Sequence, residues 1–283
     1  MDVIPLNLFR RYQELFPGCR WVDVSKVLRT QRMVKSGPEL EALRFAADKH
    51  AAVFKHIGSI IRPGMTELEI AAEFEGYARR LGHPNTKRFR GQEQGMSSGL
   101  VAAGANAAMV SCYDLPLAGS GLTPLYPMGP SRHRWERGEP LLIDYAGIYG
   151  DYTVDQTRIY LDDMVAPVLR KAQEISLQIS ARVAEKARPG VTAGELYELA
   201  ARLAEGAGLG EHFMGYERRP SYIGHGVGLE LNEWPVIARG SRLVLAAGMA
   251  FALEPKFVFP GLGSAGIEDT YVVTADGALK LTY

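Results

Sequence analysis

Asp144 and Asp155 flank the Tyr149-Gly150 step of LLIDYAGIYGDYTVDQTRIYL symmetrically. A hairpin turning at that step would set the two carboxylates directly across from each other. Cross-strand Cβ atoms lie roughly 4.5–5.5 Å apart, so like charges repel there unless a cation sits between them. Ile143, Tyr145, Ile148, Tyr152, Val154 and Ile159 supply strand-forming flanks, with Gly150 at the centre. Solvated aspartates on a polar strand face are the plainer alternative. A second pair of acids stands in AFALEPKFVFPGLGSAGIEDTYVV, where Glu254 and Glu268 lie in two apolar runs joined by a Pro/Gly-rich connection. This also reads as a hairpin, and an unpaired charge in such sequence is costly. Between the pairs lies GHGVGLELNEWP, with His225 held between two glycines that let backbone or ligand approach closely. Four carboxylates and one imidazole suit divalent transition metals, with enough negative charge to hold two ions by bridging.

The elements that must position these groups carry an internal repeat. Arg62-Pro63-Gly64-Met65-Thr66 followed by Glu69 recurs as Arg188-Pro189-Gly190-Val191-Thr192 followed by Glu195, each copy between amphipathic helical patterns. Each reads as helix, turn, helix: glycine ends one helix, and threonine with glutamate three residues on forms a capping box for the next. Two related αβ halves packed around one curved antiparallel sheet, with helices on its outer face, follow from this pattern. Residues 112–137 are rich in Gly and Pro and too long for a simple turn, so Tyr113, Tyr126 and Arg134 are candidate pocket-wall residues.

Composition sets limits. A chain of 283 residues, 47% of them apolar, suffices for one large domain with a short appendage. Its 32 basic and 32 acidic residues balance, which argues against nucleic acid or a polybasic membrane anchor. Cys19 and Cys112 do not make a disulfide framework, and the start MDVIPLNLFRRY has no secretory pattern. No apolar run reaches membrane-spanning length. A cytoplasmic protein is the expectation.

The order Asp144, Asp155, His225 in GHGVGL, Glu254 in ALEP and Glu268 in GIEDTYVVT resembles the pita-bread metallohydrolases: methionine aminopeptidase, aminopeptidase P, prolidase and the metal-free creatinase. The Glu254–Glu268 spacing and the string VDQTR are more similar to the prolidase and aminopeptidase P branch. The resemblance runs from about Val34 to the C-terminus. It implies an α+β pita-bread fold in which residues 34–283 are the catalytic domain and residues 1–33 a remnant or linker from an N-terminal creatinase-type domain. It also implies a homodimer. Carried over residue by residue, Asp144 chelates one metal, His225 and Glu254 the other, and Asp155 and Glu268 bridge both. Two divalent ions are expected, manganese first, with cobalt, zinc and iron as alternatives. A hydroxide bridging them would attack the substrate carbonyl, with Glu254 as the catalytic proton shuttle. Thr157 and Thr270 are expected to orient the bridging carboxylates, and Arg158 to form a structural ion pair.

The chain departs from that branch where substrate is contacted. Asn232 and Ser221 stand where the family has histidines, and the positions nearest a third read Ser111-Cys112-Tyr113. Asn232, Ser221 and Tyr113 are therefore the candidate substrate contacts. Glu233 and Trp234 are candidates for the pocket mouth, and His133 and His212 are the loop histidines that could reach a pocket. Three readings stand: a peptidase acting on short peptides with Xaa-Pro bonds; a metal enzyme of the same fold on a small non-peptide substrate, as an amide hydrolase or lyase; and a non-catalytic module using the cleft to bind a partner.

Overall fold

The Arg-Pro-Gly-x-Thr repeat organises the computed structural model, which describes residues 3–88, 99–111 and 115–283. Helices are α1 (Leu6–Leu15), α2 (Ser25–Met33), α3 (Gly37–Ile60), α4 (Glu67–Arg80), α5 (Pro167–Lys186) and α6 (Ala193–Gly206). Helices α4 and α6 begin at the two copies of the repeat. Thr66 Oγ1 accepts from the Glu69 amide while Glu69 accepts from the Thr66 amide, and Thr192 with Glu195 repeats the exchange. These boxes satisfy amides that a first helical turn leaves without partners. The equivalence extends to tertiary structure, because Thr66 bridges Arg134 and Thr192 bridges Val244.

The strands are β1 (Gly99–Ala103), β2 (Leu141–Tyr149), β3 (Tyr152–Tyr160), β4 (Tyr222–Val227), β5 (Leu231–Ala238), β6 (Ala250–Leu253), β7 (Lys256–Phe259), β8 (Gly263–Gly266), β9 (Asp269–Val273) and β10 (Ala278–Lys280). They pair antiparallel in three segments: β1-β2-β3, β10-β9-β6-β4-β5, and the β7-β8 ribbon. Helices α3 and α4 bury Leu43, Ile57, Ile70 and Phe74 with Val101, Leu141 and Ile143 of the first segment. Helices α5 and α6 bury Leu169, Ile179 and Leu196 with Ile223, Phe251 and Leu253 of the second. The two halves are stitched by Thr157 and Glu268, which exchange backbone hydrogen bonds of 3.2 and 3.3 Å. Glu268, one of the four acids, therefore lies on the seam. Among the described residues no helix is long and apolar enough to cross a membrane.

Both expected hairpins form, with one change of register. The β2–β3 hairpin turns over Gly150 and Asp151, so Asp144 faces Thr157 and Asp155 faces Ala146. The two aspartates are diagonal neighbours on one face, not directly opposed, because Asp151 joins the turn instead of extending the strand. Diagonal positions are roughly 7–8 Å apart, which leaves more room for a cation than direct opposition would. In the second hairpin Leu253 pairs with Asp269 and Lys256 with Gly266. The same register carried across the break sets Glu254 against Glu268.

Two buried histidines hold the β2 backbone beside Asp144. Among the described residues β1 accompanies β2 as far as Tyr145, and His50 Nε2 donates to the Tyr145 carbonyl at 2.8 Å while His83 Nε2 donates to that of Ala146 at 3.1 Å. A side chain at position 147 would collide with the His50 ring, since a Cβ there would lie 2.4 Å from Nδ1, so Gly147 admits the ring. Burial drives His50 down from 6.5 to about 3. Between those values the unfolded chain binds a proton that the fold excludes, so stability is full above about pH 6.5 and is lost as pH falls. His50→Gln keeps a donor for Tyr145. It should reduce the stability lost between about pH 7 and about pH 5 by about 2 kcal/mol, read from denaturant titrations; equal losses in variant and wild type would contradict this.

Candidate metal centre

The metal-type residues converge because five chain segments end or cross at the seam. Asp144 comes from β2, Asp155 from β3 and His225 from β4, while Glu254 follows β6 and Glu268 precedes β9. Pairing of His225 with Ala252 brings the histidine beside the Glu254 end of β6. His225 Nδ1 lies 3.2 Å from the Gly226 carbonyl. A carbonyl only accepts, so Nδ1 is the donor there, and Nε2 is the nitrogen turned to the acids. From Nε2 it is 3.8 Å to Asp155 Oδ2, 3.7 Å to Glu254 Oε1 and 3.9 Å to Glu268 Oε1. A tetrahedral ion with bonds of about 2.1 Å would have ligand edges of about 3.4 Å. Asp155, His225 and Glu268 each offer a ligand atom within 4.8 Å of the others, and Glu254 Oε1 stands beside the same imidazole nitrogen. All four residues are buried.

A cation already stands on the other side of the acids. Lys256 Nζ donates to Asp144 Oδ2 at 2.8 Å and to Glu254 Oε2 and Glu268 Oε2 at 2.9 Å each. Its side chain is 2% exposed. Lys256 lies two residues beyond Glu254 in extended chain, and side chains two apart share a face. Its partner across the β7–β8 ribbon is Gly266, where a Cβ would lie 2.8 Å from the Lys256 Cα. Each glutamate therefore turns one oxygen to the ammonium and the other toward His225. Thr157 Oγ1 adds a 2.8 Å hydrogen bond to Glu268 Oε2.

The protonation preferences follow from this crowding. Burial and the neighbouring Asp144 charge push Asp155 up to about 6. Burial, then Asp155, raises Glu268 well above the usual carboxylate range. Burial acts the same way on Asp144, but the Lys256 ammonium outweighs it and holds that carboxyl low. For Lys256, burial favours the neutral amine, yet Asp144, Glu254 and Glu268 together keep it charged well beyond its usual range.

The centre opens into a cleft of about 660 Å³ whose walls are Leu100, Leu115, Pro116, Leu117, Met128 and Leu231. Lys87 and Asn232 also line it. Asn232 adopts a left-handed backbone (φ 63°), a conformation that asparagine tolerates better than most residues and that marks positions worth attention in a site. Ser221 is not brought here. It lines a separate depression with Tyr197, Phe213 and Arg239. It stands roughly 13 Å up the chain from His225 at strand rise, and the β4–β5 register slips between Tyr222 and Gly224, breaking the alternation that would carry it to the His225 face. Tyr113 lies outside the described residues.

The remaining candidates have structural partners. Arg158 pairs with Asp269 at 2.8 Å, as expected. Thr270 bonds the Asp155 main chain, not its carboxylate. Glu233 is tied up with Arg32 and Lys35, and Arg29 lies over the Trp234 ring, both in a neighbouring recess that Asn232 shares. His133 pairs with Glu139, His212 bonds the Val258 carbonyl, and Arg134 bonds that of Gly64. Sequence reasoning missed Lys256 and Lys87. The signal for Lys256 was a lysine inside the apolar run EPKFVF, two residues from a proposed ligand.

Residues 41–275 match the description of metallopeptidase family M24, and the chain belongs to that family. It is 32% identical over 263 residues to the Xaa-Pro dipeptidase of Pyrococcus furiosus, covering 92% of this chain and 66% of that one. It is 35% identical over 265 residues to the probable dipeptidase PepE of Mycobacterium tuberculosis, covering 92% and 61%. The X-Pro aminopeptidase structure from Thermotoga maritima superposes with a TM-score of 0.83 at 28% identity, over 99% of this chain and 70% of that chain. The architecture is the pita-bread fold, and the chain spans about two thirds or less of the length of these curated relatives. A metallopeptidase family agrees with the buried Asp155–His225–Glu268 cluster.

Thr157 tests how the centre is held. Thr157→Val removes the hydroxyl that fixes Glu268 and should weaken divalent-ion binding about 10- to 100-fold, measured by calorimetric titration of dialysed protein. Unchanged affinity would mean that Glu268 is oriented by its other contacts alone.

Proposed function

We propose that this protein is a metal-dependent hydrolase of short peptides, with Xaa-Pro bonds as its substrates. The observation that carries the reading is the buried Asp155–His225–Glu268 cluster, with Glu254 Oε1 3.7 Å from the same imidazole nitrogen, at the floor of an apolar-walled cleft. The names of the M24 relatives point the same way. A divalent ion held there, manganese first among manganese, cobalt, zinc and iron, supplies carbonyl polarisation and an acidified water as nucleophile.

The chain's own groups supply the rest. Glu254, which lines the cleft with an oxygen 3.7 Å from His225 Nε2, takes the proton of the attacking water and delivers it to the leaving nitrogen. Leu100, Pro116, Leu117 and Met128 offer an apolar wall for a pyrrolidine ring and exclude water from the scissile bond. Lys87 supplies positive charge for the carboxylate terminus of a dipeptide, and Asn232 an amide that both donates and accepts at the cleft wall. The whole protein is proposed to act as a cytoplasmic homodimer.

Purified protein supplied with manganese, cobalt or zinc should cleave Xaa-Pro dipeptides faster than matched Xaa-Ala dipeptides. Metal retention without cleavage of any dipeptide would transfer the site to a small non-peptide amide, the reading favoured by Asn232 where a histidine was expected. Asp155→Ala should abolish both metal retention and activity, and full metal content in that variant would remove Asp155 from the ligand set. Asn232→His should raise dipeptide turnover by about tenfold or more, as expected when a developing charge regains a stabilising donor; no change would show that the pocket has diverged beyond this residue.

A further inference from the structure

We infer that Lys256 takes the place of one of the two metals, so that the centre is mononuclear: one divalent ion among Asp155, His225, Glu254 and Glu268, with the Lys256 ammonium fixed between Asp144, Glu254 and Glu268. This rests on the metal-hydrolase reading above and deepens it.

Three observations carry it. Geometry comes first. The Nζ is within 2.8–2.9 Å of three carboxylate oxygens, one from each acid on the side away from His225. An ion there would have to displace it, and the oxygens that point to Nζ are the ones such an ion would need. The second is chain direction. Lys256 is carried into the centre by the β7 strand it begins and by the Gly266 opposite, so its position follows from backbone pairing as well as from charge. The third is charge. The Lys256 ammonium already bonds three of the four acids, so a second divalent ion beside it would set two further positive charges against a buried ammonium.

The consequence is chemical. Asp144, which the family pattern would spend on a metal, becomes the anchor of a positioning lysine. Lys256 in turn holds Glu254 and Glu268 so that their free oxygens face the remaining ion. A fixed ammonium also supplies a positive charge behind the acids without needing a second metal from the cell.

The test is metal stoichiometry on dialysed full-length chain, titrated with Mn2+ by calorimetry and checked by elemental analysis after desalting. Wild type should bind one ion per chain, Lys256→Ala two, and Asp144→Asn still one. Two ions in wild type would overturn the inference while leaving the metal-hydrolase reading in place. One ion in a folded Lys256→Ala would also overturn it, because the lysine would not be what excludes the second. Should Lys256→Ala fail to fold with its acids unbalanced, Asp144→Asn still decides, since loss of the ion there would make Asp144 a ligand. No ion in wild type or any variant would sink both the inference and the metal-hydrolase reading.

Discussion

Four carboxylates held within a few ångströms of one another, three of them buried, are the constraint around which the molecule is arranged. Two unit charges 4 Å apart repel by about 4 kcal/mol even at an effective dielectric of about 20. Such a group survives inside a fold only with cations among the acids. The chain brings one of its own in Lys256, directly bonded to Asp144, Glu254 and Glu268, and places Lys87 near them. His225 closes the opposite side with its Nε2 facing Asp155, Glu254 and Glu268. What remains between the histidine and the acids is a position shaped for one more cation.

The scaffold makes sense in those terms. Each αβ half contributes acids from a strand that its own helix pair covers, and neither half assembles the centre alone. The Thr157–Glu268 backbone exchange joins the halves at the point where the charges meet, and the Thr157 hydroxyl also holds the Glu268 carboxylate. A single residue thus couples assembly of the sheet to alignment of a proposed ligand. On β2, His50 and His83 donate to the carbonyls of Tyr145 and Ala146 just past Asp144. Burial favours the neutral imidazole at both.

Much of this could be read from residue types and spacing. The two hairpins, the helix pairs with their capping boxes and the gathering of Asp144, Asp155, His225, Glu254 and Glu268 all followed from local pattern. Two of the errors share one cause, which is that register is a tertiary quantity. One residue, Asp151, entering a turn moved the aspartates from opposed to diagonal. A register slip in β4 separated Ser221 from His225 although the spacing in sequence looked right. Lys256 is not a metal-ligand type and so lies outside the metal pattern, although the alternation of strand side chains already places it beside Glu254. Lys87 had no local signal, since only the folded chain brings it to the cleft.

In the proposed centre the acids are shared between a built-in ammonium and one metal ion. Anomalous diffraction from crystals grown with manganese should show one peak, among Asp155, His225, Glu254 and Glu268, with the Lys256 Nζ still on Asp144. Two peaks a few ångströms apart, with the Lys256 side chain displaced from the acids, would contradict this arrangement.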